Sequence, residues 1–121
     1  MAKTYLRDGK VLTFANSGSA IASGAVVKMG NTVGVALQDI AATTGSGPVA
    51  VDGVFLVPKT TGVAWVAGGK LFWDVSAGKF DTMAATPATG DVTGAAIVAE
   101  AAASSDTTGY VKLTPGNTDI A

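Results

Sequence analysis

Glycine sets the grain of this chain. Sixteen of its 121 residues are glycine, spread from Gly9 to Gly116. The apolar runs between them are a few residues long and rich in valine. An isolated helix is marginal below about 12–15 residues, because its first turn is costly to nucleate. No segment here sustains an amphipathic helical pattern over that length, which leaves short extended pieces joined by tight turns.

The pieces can be placed. Val11–Phe14 is short and extended, and Asn16–Ser19 is loop. Val26–Met29 is a β-branched run stopped by the Gly30-Asn31 turn signal. From Val33 to Ile40, Val33, Val35 and Leu37 share one face and Gly34, Ala36 and Gln38 the other. After a polar turn at 41–47, one long strand is expected from Val49 to Val57. Gly53 inside it marks a bulge or a close neighbour, and Pro58 ends it. Val63–Ala67 fits a short helix or a strand equally well. Leu71–Trp73 is a strand, followed by a turn over 74–78 and an exposed connection over 84–93. Gly94–Glu100 reads as a strand, although its alanines would also suit a helix. Tyr110–Leu113 closes the core, and 114–121 is a tail.

The expected fold is therefore all-β: a small antiparallel β-sandwich or barrel with at most one short helix. Residues 1–19 are expected as an extended N-terminal arm, 20–114 as the body and 115–121 as the tail. A faint internal echo adds to this. Gly24–Val27, Val33–Ala36, Ala41–Gly45 and Val49–Val51 are answered by Gly69–Phe72, Thr93–Ala96, Ala101–Ser105 and Val111–Leu113. A true duplication would give the body pseudo-symmetry.

The chain has no histidine and no cysteine. A Ser-His-Asp triad lacks its base, and thiolate chemistry, disulfides and zinc fingers are excluded. The nearest approach to a phosphate loop, Ala64–Leu71, lacks the first glycine and the magnesium-binding hydroxyl. The acids of 74–81 lack the ligand spacing of a calcium loop. No cofactor and no metal is expected. Net charge is −1 with scattered lysines, so no nucleic-acid footprint appears. No apolar run approaches the roughly 20 residues of a membrane span, and the first ten residues lack the apolar core of a signal peptide. Only 14% of residues are charged, against the roughly 25% usual for soluble domains. A surface so poor in charge is either covered by partners or rich in small polar residues.

Seven residues stand out as contacts with a partner or another subunit. Tyr5, Leu6, Arg7 and Phe14 lie in a segment too short to bury them by itself. They either pack back on their own domain or lie across a partner and pair with a sheet edge. Asp39 is a strand-end residue, a turn-former or an interface contact. Trp65 and Trp73 carry large aromatic area. Core packing is the ordinary use of such rings, but neighbours such as Phe72 and Trp73 face opposite sides of a strand, which leaves one of them free to anchor an interface.

The ordered set Ser23–Gly30, Val33–Ala36, Asp39–Ala41, Val51–Phe55, Pro58-Lys59, Gly68–Asp74 and Gly94–Ala96 resembles the head-decoration, or capsid cement, proteins of tailed bacteriophages. The likeness runs from about Ala20 to Leu113. Some relatives carry a RecA/RadA-like recombinase label, which the missing phosphate loop argues against. The resemblance implies a structural virion protein without catalytic residues, made in the bacterial host cytoplasm and bound to the outer capsid surface. Its partners would be the major capsid protein and further copies of itself, a trimer being favoured over a dimer. Two other readings stay open. A carbohydrate-binding or adhesive β-module would use Trp65 or Trp73 as a stacking platform. A carboxylate enzyme would need a deep pocket with two converging acids.

Overall fold

The computed structural model describes residues 9–121 and contains ten strands and no helix among them. The first four strands are β1 (Val11–Ala15), β2 (Val26–Met29), β3 (Thr32–Ala36) and β4 (Ser46–Ala50). They form an antiparallel sheet in the order β1-β4-β3-β2. The rest are β5 (Val54–Pro58), β6 (Lys70–Asp74), β7 (Lys79–Thr82), β8 (Val92–Val98), β9 (Thr108–Leu113) and β10 (Asp119–Ile120). These form a second antiparallel sheet, β5-β9-β8-β6-β7, with β10 paired to β8. The second sheet curls until a parallel bridge joins Lys59 to Phe80, and the Thr60 N–H donates to the Phe80 carbonyl at 3.0 Å. That single bridge is the only pairing across the seam among the described residues, so the second sheet is a curled half-barrel with β5 and β7 brought together at one point.

The main core runs through both sheets. Val33 and Val35 of the first pack with Val57, Trp65, Leu71, Trp73, Phe80 and Val111 of the second in one cluster of buried residues. A smaller cluster, Val27, Ala36, Ile40 and Val49, lies on the other face of the first sheet. Strand β3 is thus covered on both sides, which its small residues Gly34 and Ala36 permit: a Cβ on Gly34 would collide with Val49 and the Ala50 carbonyl.

The internal echo is real in its hydrogen bonding. Ile21 and Ile40 exchange two backbone bonds, at 2.9 and 2.8 Å, as do Trp65 and Ala102, at 2.9 and 3.1 Å. The Gly24 N–H donates to Ala36, and the Gly68 N–H donates to Val98. These two glycines share a positive φ, +86° and +83°. Asn16 N–H meets the Gly45 carbonyl where Lys59 N–H meets Thr107, both at 2.8 Å. Val51 closes on Lys10 as Leu113 closes on Gly53. So β1, β2, β3 and β4 correspond to β5, β6, β8 and β9, and the two strand orders coincide. The sequence reading has the register right for Val49–Val51 against Val111–Leu113. It is one residue out at Gly24, whose counterpart is Gly68, and two out at Val33 and Ala41, whose counterparts are Ala95 and Ala103.

Three further expectations are corrected. The run Val49–Val57 is two strands: at Asp52-Gly53 the chain leaves one sheet for the other. The Asp52 carboxylate accepts the Gly53 N–H at 2.8 Å, and Gly53 takes φ +114°. The segment Val63–Ala67 is neither helix nor strand but a loop held by the Trp65–Ala102 bridge. The expected tail 114–121 contains β10, which pairs Asp119 with Thr93 and Ile120 with Val92.

Candidate interaction surface

The two halves bury one polar side chain at the same place and by the same means. Asn16 is 5% exposed; its Nδ2 donates to the carbonyls of Ser19 (2.8 Å) and Ala41 (3.1 Å), and its Oδ1 accepts the Gly18 N–H (3.0 Å). Lys59 is fully buried; its Nζ donates to the carbonyls of Thr60 (3.0 Å), Val63 (2.8 Å) and Asp106 (3.5 Å). The same ammonium lies 5.6 Å from the Trp65 ring centroid, a favourable cation–π placement. A buried lysine invites a catalytic reading, but these partners make it a clamp on loop carbonyls that would otherwise be unpaired.

The interior apolar residues also correspond. Val27 matches Leu71, Met29 matches Trp73, Ala36 matches Val98 and Val49 matches Val111. They differ in closure. In the second half, β7 lays Phe80 over the interior, 5.0 Å from Trp73 in an edge-to-face pair, and Phe80 is wholly buried. In the first half, the Gly30-Asn31 turn runs straight from β2 to β3, and no strand stands in the place of β7 among the described residues. Phe14, Ile21 and Met29 are accordingly only partly buried, whereas Val57, Trp65 and Trp73 are 1%, 2% and 8% exposed. A shallow apolar groove lined by Ala20–Ala22 and Asp39–Ala41 opens at this end.

The residues singled out in sequence fall in different places. Tyr5, Leu6 and Arg7 lie outside the described residues. Phe14 is on β1, which pairs along its length with β4 and turns Phe14 onto the smaller core cluster. Asp39 is exposed and its carboxylate accepts the Ser23 N–H at 2.8 Å, so it fastens the 20–25 loop at the groove. Trp65 and Trp73 are in the core, and Phe72, on the opposite face of β6, is buried as well at 2%. Both rings are taken up within this chain, because both faces of β6 are buried and Gly109 leaves room for the Trp65 ring against β9. The same burial leaves no aromatic platform at either residue for a sugar ring.

The outer face of β5 and β9 carries what the sequence reading did not single out. Val54, Leu56 and Tyr110 are 56%, 54% and 45% exposed, and Leu56 pairs directly across from Tyr110. Their alternation with buried Val57 and Val111 was the available signal. Next to them Lys112 donates to Asp52 at 3.1 Å. That ammonium, and then the Gly53 N–H, hold the Asp52 carboxyl below its ordinary value. A hollow beside Leu56 and Tyr110 includes Glu100 and Asp106, but Asp106 is engaged by the Ala103 N–H at 3.0 Å as a turn-former. Among the described residues no three potential metal ligands converge.

This all-β body carries its large aromatics inward and exposed apolar side chains on a sheet face and at an open edge. The family of phage cement proteins matches residues 6–113, nearly the whole chain, and the chain belongs to that family of structural capsid proteins. No curated protein and no solved structure matches it.

Proposed function

We propose that this protein binds the outer surface of a phage head, after synthesis in the host cytoplasm, and stabilises the shell as a homo-oligomer, with a trimer favoured. Its partner is the major capsid protein. The observation that carries the reading is the family match across residues 6–113. The apolar strip Val54–Leu56–Tyr110 supports it, since contiguous exposed apolar area on a small domain marks an interaction site. Many copies on a repeating lattice multiply a modest affinity per copy through avidity. Tyr5, Leu6 and Arg7 help to hold the assembly on the shell.

The test is co-sedimentation of purified protein with expanded heads stripped of decoration. Saturable, stoichiometric binding is expected, with heads that survive heating or dilution better than bare ones. Leu56→Asp combined with Tyr110→Ser should weaken binding at least tenfold with the β-sheet circular dichroism unchanged. Removal of residues 1–8 should weaken attachment more than folding; a cut through residue 15 would remove β1 and damage the sheet itself. Heads that take up no protein at any concentration would sink the reading.

A further inference from the structure

The open half of the molecule has four strands where its counterpart has a fifth, β7, and the counterpart displays what is missing. There the fifth strand, β7, runs antiparallel to β6, with Phe80 directly across from Trp73, and bridges in parallel to Lys59 beyond the end of β5. The equivalent gap lies along the outer edge of β2, opposite Met29 and beside Asn16. Among the described residues β2 pairs only with β3 and its other edge has no ladder partner; an edge of that kind is a template for strand addition.

We propose that this gap is filled in the assembled protein by residues 3–7 of a second copy of this chain, laid antiparallel along β2 with Tyr5 in the position that Phe80 occupies in the closed half. The proposal rests on the self-assembly put forward above and specifies how it is built. Topology rules out the same chain as donor. The missing strand must run parallel to β1, as β7 runs parallel to β5, and a parallel neighbour needs a crossover of about a dozen residues. Only residues 8–10 separate Arg7 from Val11. The donor segment has the right chemistry. Lys3-Thr-Tyr-Leu-Arg7 contains no glycine or proline and carries one aromatic, as Lys79-Phe-Asp-Thr82 does in β7. An aromatic set against Phe14, Ile21 and Met29 would give the open half the seal that Phe80 gives the other. Each copy both gives and receives, which a reciprocal two-fold pair or a closed head-to-tail ring satisfies.

The absence of cysteine makes the test free of background. Residues directly opposed in an antiparallel pair have Cα atoms about 4.5–5.5 Å apart, within the range of a disulfide. Met29→Cys in one chain and Tyr5→Cys in a second, mass-tagged chain are mixed and oxidised. A mixed covalent dimer is expected, and none when Val66→Cys, 73% exposed and in the other half of the molecule, replaces Met29→Cys. In parallel, native mass spectrometry should show the full chain as an oligomer and the chain lacking residues 1–8 as a folded monomer. An oligomer whose mass survives that deletion, a full chain that is monomeric, or a cross-link no stronger than the Val66 control would each overturn the proposal. Head binding separates this from the functional reading. A monomer that still decorates heads removes the strand exchange and leaves the cement role standing. A cross-linking oligomer that ignores heads does the opposite.

Discussion

Gly109→Ala is the sharpest probe of how the closed half is built. Gly109 sits on β9 between β5 and β8, where a Cβ would lie 2.5 Å from Trp65 Cζ3 and 2.7 Å from Trp65 Cε3. Ordinary contact begins near 3.4 Å, so the ring or the strand must move by almost an ångström. Neither has room, since Trp65 is 2% exposed and β9 is paired on both edges. Overpacking of this kind costs about 1–3 kcal/mol. Alanine restricts the unfolded chain and returns about 0.4–1 kcal/mol. The net loss is then about 1–2 kcal/mol. With an unfolding entropy near 2.1 cal/mol/K per residue, a chain of this length loses roughly 4–8 °C in Tm. The counterpart Gly47→Ala would meet the Ile40 side chain at 2.7 and 3.1 Å, with Gln38 Nε2 at an ordinary 3.8 Å. Ile40 is as buried as Trp65, but it is a rotatable aliphatic chain beside the open groove where Trp65 is a rigid ring, so less than half that loss is expected. Differential scanning calorimetry of both variants measures the contrast. Trp65→Leu in the Gly109→Ala background makes space for the methyl, so the pair should be less damaging than the sum of the singles by about 0.5–3 kcal/mol. Equal Tm losses at the two glycines, or strict additivity with Trp65→Leu, would refute the reasoning.

Other expectations follow from the polar anchors. Asn16→Ala removes three hydrogen bonds and leaves the Ser19 and Ala41 carbonyls without that donor; a loss of about 1–3 kcal/mol is expected by urea denaturation, with the m-value unchanged. Asp91 is buried and accepts the N–H groups of Val75 (3.1 Å) and Ala88 (2.9 Å), so Asp91→Ala should loosen the 75–91 segment, seen as faster amide exchange there than in β1–β4. The Asp52 carboxyl should titrate below 3.8 by NMR, and back toward that value in Lys112→Met. A depressed carboxyl stabilises the fold above its unfolded pKa, and that contribution is lost as pH falls through the folded value. The pH dependence is therefore confined to the acid limb, below about pH 4, while the contribution itself is present in full at neutral pH and is small and salt-sensitive for an exposed pair. Lys112→Met should lower the unfolding midpoint only slightly at neutral pH, and by less still in acid or at high salt.

Local chemistry was legible where it decides the outcome by itself. Gly30-Asn31 ends β2, Asp74–Gly78 turns β6 into β7, and the β-branched or aromatic runs around Val26, Val33, Leu71 and Val111 are strands. What could not be read depends on contacts distant in sequence. Val49–Val57 alternates without a break through Asp52-Gly53, so a crossing between sheets looks like one strand. β10 exists because Asp119-Ile120 finds β8, where Gly94 at φ +65° lets the Asn117 carbonyl come close. The tryptophans could be assigned to the core only on general grounds. Their burial is decided by Gly109 and by β7, neither of which is near Trp65 in sequence. The duplication was visible but slipped in register, because the second half carries β7 and its following loop where the first has only a tight turn, and runs of alanine align with themselves at several offsets. Of the surface residues, Phe14 and Asp39 lie beside the groove, while the strip at Val54, Leu56 and Tyr110 required knowing which side of β5 faces out.

The correspondence between the halves gives this molecule an internal control that few proteins offer. Asn16 can be compared with Lys59, Gly47 with Gly109 and Met29 with Trp73 inside a single polypeptide, at one temperature, one pH and one concentration. Whatever differs between such partners measures the worth of one covering strand. Sealing one unit while leaving its sibling ajar also separates two demands that most small domains must meet with the same residues: holding a shape and holding a neighbour.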